Sequence, residues 1–401
     1  MSLDDDVRAE LIELEARHRL RVQRTVDGAH GPRITLDGIE VINAASNDYL
    51  SLAGDRRLAR AAANALDEYG TGAGASRLIT GTHRRHVALE HALADWLQLP
   101  AARLFNSGYA ANVGVLTSLL GAGDVVFSDE LNHASIIDGC RLSRAEVVVF
   151  PHRDTAALDS ALSTRTGRRR IVVSETLFSM DGDLADVEAL AGLCRRHDAA
   201  LVLDEAHAIG VWGPEGRGIA ALAGVVPDVL IGTCGKALGG FGAFAASSVA
   251  VAQWLYNRAR TFVFSTALPP SVPAAVQAAI EIVRGSEGDE RRRNLFARAD
   301  ELREQLQIAP ASGAARDATA TPARLGGASG SAIAPLVIGD DQRVMTISSA
   351  LLEQRVFVQG IRPPTVPEGT ARLRISLCAG HTAQHIETIA ASISAAVRRF
   401  T

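Results

Sequence analysis

The sequence predicts an α/β protein with a mostly parallel central sheet and a second, smaller domain. Short apolar runs, such as residues 201–203 and 229–231, are bounded by glycine and polar residues, which is typical of fully buried strands. Helical patterns lie between successive runs, as expected when parallel strands are joined by crossover helices. The chain has 401 residues, which is enough for two domains and a large core.

The first hundred residues show helical periodicity around one extended segment. Val7, Leu11 and Leu14 recur at helical spacing, and we expect the arginines at 19, 21 and 24 to close this first helix, where positive charge is favourable. The predicted elements are a helix over 4–24, an extended segment over 33–44, and helices over 56–69 and 85–98.

Residues 103–120 predict a strand, a tight turn and a helix, with Ser107 and Gly108 where the helix begins. The free N–H groups and the positive dipole end of a helix can hold a phosphate, and Tyr109 would then face the bound group. An ordinary capped turn is the alternative interpretation.

Further apolar runs predict the rest of the sheet. His133 follows the strand predicted from residue 124 and occupies the same kind of position as His207, from which an imidazole can stack on a ring or move protons. A turn histidine without such a role is the alternative. The remaining buried strands are predicted at 147–150, 170–176, 201–203, 229–231 and 244–247.

Charged and polar residues follow two of these runs. Asp204 and His207 follow the first, and Thr233 and Lys236 follow the second. Ligands of open α/β sheets bind beyond the carboxyl ends of the strands, so an acid, an imidazole and an amine are expected at one edge. This combination suits pyridoxal phosphate, because a lysine amine can bond to its aldehyde and a carboxylate can keep its pyridine nitrogen protonated.

Nucleotide and metal motifs are not supported. A P-loop would need a glycine at Leu230 and a serine or threonine at Ala237. His83, His86 and His91 lack a cysteine or carboxylate at ligand spacing, so we expect them on a helix surface and predict no metal site.

Composition indicates an ordinary globular protein. The formal net charge is −4, so no basic excess points to a nucleic-acid partner. No apolar run is long enough to span a membrane, and Asp4, Asp5 and Asp6 stand where a signal peptide needs positive charge. The four cysteines are scattered, which favours free thiols and a cytoplasmic location.

The C-terminal part is predicted to form the smaller domain. It begins with a long charged helix from residue 286, and a mobile loop poor in large apolar residues is expected over 308–331. Thr365 lies between proline-containing turns, and Arg374 on a strand could clamp a carboxylate or form an ion pair at the edge of a cleft. The predicted divisions are 1–47 (an N-terminal arm), 48–285 (the large domain) and 286–401 (the small domain).

Several segments resemble the α-oxoamine synthases, a family of fold-type I pyridoxal phosphate enzymes that join an amino acid to an acyl thioester with loss of CO₂. The resemblance covers nearly the whole chain and is weakest over 308–331. It is carried by SNDYL (46–50), NSGYAAN (106–112), NHAS (132–135), ETLFSMDGD (175–183), LVLDEAHAIGVWGPEGRG (201–218) and GTCGKALGG (232–240).

The resemblance implies roles for individual residues. Lys236 would bind the cofactor covalently and act in catalysis, Asp204 would pair with the pyridine nitrogen, and His207 would bond the phenolic oxygen. His133 would stack on the ring and contact substrate. The residues that would help to hold the cofactor are Gly108, Tyr109, Ser179 and Thr233, and those that would contact substrate are Arg21, Asn47, Thr365 and Arg374.

Within this family, segment 361–374 is most similar to the branch of biotin biosynthesis that uses L-alanine and a pimeloyl thioester, on CoA or an acyl carrier protein. The resemblance also implies a homodimer with the active site at the subunit interface, near the glycines at 70–74. The alternatives are a sister synthase that uses glycine or serine, an aminotransferase, and a non-catalytic binding protein on the same fold.

Overall fold

A computed structural model describes residues 2–306 and 323–400 of the chain. These residues form two compact units. The larger unit comprises Leu50–Ser179 and Leu184–Arg292, and the smaller unit comprises residues 2–49, Met180–Asp183 and the described residues from Arg293 onward.

The α-helices are numbered α1 to α14 in chain order. They are Leu3–Ala16, Arg56–Tyr69, Arg84–Leu97, Gly108–Leu119, Ala134–Leu142, Thr155–Thr164, Val187–His197, Ile219–Leu222, Val249–Arg258, Arg260–Val263, Ser271–Arg284, Ser286–Gln305, Asp341–Glu353 and Ala383–Phe400.

The strands are numbered β1 to β15 in the same way. They are Val26–Asp27, Arg33–Leu36, Ile39–Asn43, Ala101–Phe105, Val125–Asp129, Glu146–Phe150, Arg170–Glu175, Ala200–Asp204, Val229–Thr233, Ala243–Ser247, Arg324–Leu325, Ile333–Gly339, Val356–Phe357, Gln359–Ile361 and Ala371–Ser376.

The larger unit is built on a seven-stranded sheet in the order β4-β10-β9-β8-β7-β5-β6. Strand β10 is antiparallel to β4 and β9, and the pairs β9–β8, β8–β7, β7–β5 and β5–β6 are parallel. The predicted mostly parallel sheet is therefore confirmed. A core of buried side chains includes residues of β5, β7, β8 and β9 together with residues of α4, α5, α9 and α10.

The smaller unit contains two four-stranded sheets, β1-β2-β3-β13 and β11-β12-β15-β14. Strand β3 pairs in parallel with β13, with Ile42 opposite Val356, so the N-terminal residues fold together with the C-terminal ones. The residues predicted as a separate arm over 1–47 belong to this unit. Its boundary with the larger unit falls inside α12, at Arg292 and Arg293.

The first helix is shorter than predicted. Helix α1 ends at Ala16, and it buries none of its side chains, so no packing favours its extension to residue 24. Instead, Arg19 leaves the helix and bonds the carboxylate of Asp341 at 2.7 Å. The prediction that the three arginines close the helix is therefore wrong.

Two further predictions about burial are wrong. Strand β6 is not a buried strand, because it lies at the edge of the sheet, and Val149 is 60% exposed. His86 does not lie on the surface of its helix. It is fully buried, with its ring Nε2 2.8 Å from the carbonyl oxygen of Leu268, and burial lowers its pKa.

The loop predicted over 308–331 lies partly outside the described residues, which resume at Ala323. Its last part is not a simple loop, because Arg324 and Leu325 form β11 and pair with Val337 and Leu336 of β12.

The described residues contain no helix long and apolar enough to cross a membrane. Within the same residues, no group of histidine, cysteine, aspartate and glutamate side chains could hold a metal ion. Cys140, Cys194, Cys234 and Cys378 are buried and form no disulfide bonds.

Gly213 allows a close backbone approach after β8, and we expect its replacement to destabilise the larger unit. Its φ is +76°, and a Cβ atom there would overlap the carbonyl oxygen of Gly218. Gly213→Ala should lower the midpoint of thermal unfolding by about 5 °C or more, because positive φ and a backbone clash act together.

Gly224→Ala is the matched control for Gly213→Ala. Gly224 also has a positive φ, +64°, but a Cβ atom there meets no atom within 4 Å. Its substitution by alanine should lower the midpoint of thermal unfolding less, because only the strain of a positive φ opposes it. Equal shifts of the two midpoints in a fluorimetric melt would show that the predicted clash is absent.

Candidate active site

The carboxyl ends of β8 and β9 bring an amine and an imidazole into contact in the larger unit. Strand β8 ends at Asp204, and His207 follows it. Strand β9 ends at Thr233, and Lys236 follows it. The Nζ atom of Lys236 lies 2.9 Å from Nε2 of His207. Both strands are buried and parallel, so the polar residues that follow them share one edge of the sheet.

The carboxylate of Asp204 is buried beside this pair, with the residue 5% exposed. Its Oδ2 accepts a hydrogen bond from the amide Nδ2 of Asn112 at 2.7 Å, and its Oδ1 accepts one from the backbone N–H of Ala206 at 2.8 Å. Asn112 lies on α4, so this helix and β8 are joined at the site.

Helix α4 begins beside the same edge, after β4. Ser107 is its N-cap, and the Ser107 hydroxyl accepts from the N–H of Ala110 at 3.1 Å. The first N–H groups, those of Gly108 and Tyr109, have no carbonyl partner within the helix and lie at its positive end. The phenol of Tyr109 donates to Asp138 at 2.7 Å, so it is directed towards α5.

The other predicted cofactor contacts lie at the ends of neighbouring strands. His133 is the exposed N-cap of α5, after β5, and its Nδ1 is 2.7 Å from the hydroxyl of Ser135. The hydroxyl of Thr233 donates to the carbonyl of Gly242 at 3.1 Å. Ser179 follows β7 and is buried.

The acid next to Asp204 has a structural role. Both oxygens of Glu205 accept backbone N–H groups at the start of α8, from Ile219 at 2.9 Å and Ala220 at 2.7 Å. Burial raises the pKa of Glu205 to about 7, against the opposing effect of these hydrogen bonds. Glu205 therefore anchors a helix instead of facing the lysine.

Glu175, at the end of β7, is a buried acid to which sequence reasoning gave no role. Burial raises its pKa to about 8, with a further increase from the charge of Asp204. Its Oε1 atom is buried and accepts no hydrogen bond from the described residues. Glu175 lies opposite Asp204 in the pairing of β7 with β8, so a carboxyl with a raised pKa stands beside the Asp204 carboxylate.

The predicted substrate contacts form two groups in the smaller unit. Arg374 on β15 donates to Oδ1 of Asn47 at 3.1 Å and to the hydroxyl of Ser376 at 2.8 Å. Arg21 donates to the hydroxyl of Thr365 at 3.3 Å. Four of the predicted substrate contacts therefore form two hydrogen-bonded pairs within this unit, while His133, the fifth, lies in the larger unit.

A cavity of about 420 Å³ in the smaller unit contains the Arg21–Thr365 pair. Its other lining residues include Met345, Leu352 and Phe357, so it combines an apolar wall with cationic groups. A larger cavity, of about 820 Å³, lies in the larger unit at the amino ends of β7, β8 and β9, which is the sheet edge opposite to Lys236.

Sequence reasoning missed Asn112 and Ser135 and gave Glu175, in the predicted buried strand, no role. Asn112 lies one helical turn after Gly108, inside the motif NSGYAAN, and Ser135 ends the motif NHAS. An amide on an otherwise apolar face of a helix was the available signal, because a buried amide needs a polar partner.

The family described as aminotransferase class I and II matches residues 39–393 of this chain. The 8-amino-7-oxononanoate synthase of Geobacter sulfurreducens is 46% identical over 97% of both chains. A serine palmitoyltransferase from S. paucimobilis, solved with a bound PLP–myriocin aldimine, has a TM-score of 0.90 and 30% identity, covering 99% of this chain and 98% of that one. An 8-amino-7-oxononanoate synthase structure from Francisella tularensis has a TM-score of 0.73 and 27% identity, with coverage of 90% and 98%.

The sheet, the lysine–histidine pair and these matches define an enzyme fold of the transferase type, and the chain belongs to the aminotransferase class I and II family. Its curated relatives at 43–46% identity are proteins named 8-amino-7-oxononanoate synthase. The fold-type I architecture and the resemblance to the α-oxoamine synthases are thereby confirmed.

The carboxyl of Glu175 should make stability depend on pH. Its pKa in the folded protein is about 8, above its ordinary value of 4.5, so the folded state binds this proton more tightly than the unfolded state does. The free energy of unfolding should therefore fall as pH rises from about 4.5 to about 8. Glu175→Gln should flatten this fall by up to about 1 kcal/mol per pH unit, measured by denaturant unfolding across that range.

Glu188→Gln serves as a control for Glu175→Gln, because Glu188 is an exposed acid in the first turn of α7. Its profile should follow that of the unaltered protein. A Glu175→Gln profile as steep as the wild-type one would contradict the assigned pKa.

Proposed function

We propose that this protein condenses L-alanine with a pimeloyl thioester, with loss of CO₂, in biotin biosynthesis. A bond forms between the α-carbon of alanine and the acyl carbon, the C–S bond breaks, and the carrier leaves as a thiol. The products are 8-amino-7-oxononanoate, CO₂ and free carrier. The observation that carries the proposal is the 43–46% identity, over nearly the whole chain, to relatives with this name.

The residues of the larger unit fit pyridoxal phosphate as the cofactor. A cofactor of this kind needs an amine for its aldehyde, an acid for its pyridine nitrogen and an anion site for its phosphate. Lys236, Asp204 and the first turn of α4 supply these groups. The donors to Asp204 are the neutral groups of Asn112 and Ala206, so its carboxylate is suited to pair with a protonated ring nitrogen.

When bound, pyridoxal phosphate supplies a ring that draws electrons away from the α-carbon of the amino acid. Lys236 would hold the cofactor through its amine, would accept the α-proton of alanine, and would return a proton to the product. Asp204 would hold a proton at the pyridine nitrogen. His207, which lies 2.9 Å from the amine of Lys236, would donate to the phenolic oxygen, and His133 would contact the ring.

The remaining residues orient the ligands. The backbone and side chains of Gly108, Tyr109, Ser179 and Thr233 hold the cofactor. Arg374 and Asn47, which are hydrogen-bonded to each other, bind the carboxylate of a substrate. Arg21 and Thr365 contact the acyl chain, and the apolar and cationic lining of their cavity suits a chain that ends in a carboxylate.

The active form proposed is a homodimer with the active site at the subunit interface. The glycines at 70–74 are free of close contacts, and Ser76 pairs with Thr266 across an isolated bridge. Ile79 and Phe264, close to that bridge in the sequence, are 75% and 71% exposed. Contiguous exposed apolar patches are typical of surfaces covered by a second chain, and the proposed interface would include these two side chains. A cytoplasmic location stays a prediction from the sequence.

A second candidate is the sister reaction with serine or glycine and another acyl chain. It is favoured by the TM-score of 0.90 to the serine palmitoyltransferase. This chain is 30% identical to that protein, but 46% identical to the 8-amino-7-oxononanoate synthase of Geobacter sulfurreducens. The sequence similarity therefore favours the alanine reaction.

A matrix of amino acids and acyl thioesters tests the substrates directly. The purified protein with pyridoxal phosphate should release free carrier thiol with L-alanine and pimeloyl-CoA or pimeloyl-acyl carrier protein. Glycine or serine with palmitoyl-CoA should give background rates. Fast release with serine and palmitoyl-CoA, measured by a thiol reagent, would establish the sister reaction instead.

Two variants test the assigned chemistry. Lys236→Ala should lower turnover at least about thousandfold and abolish covalent cofactor attachment, measured by borohydride reduction and mass spectrometry of the whole chain. Asp204→Asn should retain the cofactor but lower turnover at least about a hundredfold, because the amide cannot hold a proton at the ring nitrogen.

Asp228→Asn is the control for the loss of a carboxylate. Asp228 lies at the other end of the sheet, where it accepts from the N–H of Leu201 at 2.7 Å. Its variant should keep normal turnover. Near-normal turnover of Asp204→Asn would show that Asp204 is not the partner of the ring nitrogen.

A further inference from the structure

Asn112 connects two groups of the site that lie on different elements. Its side-chain Nδ2 donates to Oδ2 of Asp204 at 2.7 Å and to Oγ of Ser135 at 2.9 Å. The residue is 1% exposed, and both amide hydrogens are used in these bonds. Asn112 is therefore fixed by α5 and β8 together.

The orientation of the Asn112 amide follows from charge. If the amide were turned over, its oxygen would face the carboxylate of Asp204, and two acceptors would stand 2.7 Å apart. That arrangement is strongly unfavourable in a buried site. The amide nitrogen must point to Asp204, so Asn112 acts as a donor to Ser135 as well.

Ser135 connects Asn112 to His133 through its hydroxyl group. Its hydroxyl accepts from Asn112, so its own hydrogen is left to donate to Nδ1 of His133 at 2.7 Å. The backbone N–H of Ser135 also donates to the same Nδ1, at 3.2 Å. An imidazole nitrogen that accepts two hydrogen bonds carries no proton.

We propose that Asn112 and Ser135 are positioning residues that couple the carboxylate of Asp204 to the imidazole of His133 and keep His133 neutral, with its proton on Nε2. They touch neither substrate nor cofactor in this scheme. They act by fixing the ring orientation and the tautomer of His133, as the hydrogen bond to one ring nitrogen does for many functional histidines.

The charges around His133 agree with a neutral ring. Desolvation lowers the pKa of His133 and the amine of Lys236 lowers it further, against the opposing charge of Asp204. The carboxyl of Glu175 accepts a hydrogen bond from the backbone of His133, not from its ring. The Nε2–H group is then the donor that His133 can offer to a ligand.

The tautomer can be read directly by NMR of protein with isotope-labelled histidine nitrogens, with His133→Gln used to assign the signals. Wild-type protein should show His133 protonated at Nε2, both with and without pyridoxal phosphate. Ser135→Ala removes the shorter bond to Nδ1 and leaves only the backbone N–H at 3.2 Å, so it should increase the populations of the Nδ1–H and doubly protonated forms and raise the pKa of this ring. A wild-type signal from the Nδ1–H form would overturn the proposal.

Cofactor affinity gives a second readout, which rests on the proposed function. Ser135→Ala should raise the dissociation constant of pyridoxal phosphate roughly fivefold, the effect of losing about one hydrogen bond. Asn112→Leu should raise it more, because it also removes a donor from Asp204. If Asn112→Leu does not fold, Ser135→Ala still decides the question.

Ser143→Ala is the matched control, because Ser143 is a buried serine at the opposite end of α5 that bonds the carbonyl of Cys140 at 2.6 Å. It should leave the tautomer and the cofactor affinity unchanged. Equal effects of the two serine variants would refute the positioning role of Ser135. A protein that binds no pyridoxal phosphate would refute the proposed function. The tautomer of His133 measured without cofactor would still test the positioning role.

Discussion

The buried carboxylate of Asp204 is the constraint on which the site in the larger unit depends. A buried charge is costly unless hydrogen-bond donors or an opposite charge compensate it. The chain supplies two neutral donors, the Asn112 amide and the N–H of Ala206, which hold the carboxylate without cancelling its charge. The position of α4 is tied to this requirement, because α4 carries both Asn112 and the turn at Gly108.

Neighbouring acids at the same edge of the sheet differ in their hydrogen-bond partners and in how burial affects them. Both carboxylate oxygens of Glu205 accept hydrogen bonds from backbone N–H groups at the start of α8. Glu175 has a raised pKa because it is buried, and because it lies close to Asp204. Asp204 has donors on both oxygens. One edge of a sheet can thus hold an acid that anchors a helix and an acid with a raised pKa, since burial and hydrogen bonding differ over a few ångströms.

Much of the fold could be predicted because apolar runs and the polar residues after them are local patterns. The parallel sheet, the capped turn at Ser107 and the positions of Lys236 and Asp204 at the carboxyl ends of strands all follow from such patterns. The failures share a cause. The end of α1 is decided by the partner of Arg19 in a distant segment, the exposure of β6 by its place in the strand order, and the burial of His86 by a carbonyl 182 residues away.

The sequence by itself determined which chemical groups stand at the ends of the central strands, and its motifs carried the resemblance to the synthase family. Tertiary structure alone decided how those groups are connected: that Asn112 bonds Asp204, that Ser135 bonds His133, and that the pKa of Glu175 is raised. The reason is physical. A strand end is set by residues adjacent in the chain, whereas a hydrogen bond between α4 and β8 or a shifted pKa depends on which distant elements pack together and exclude water.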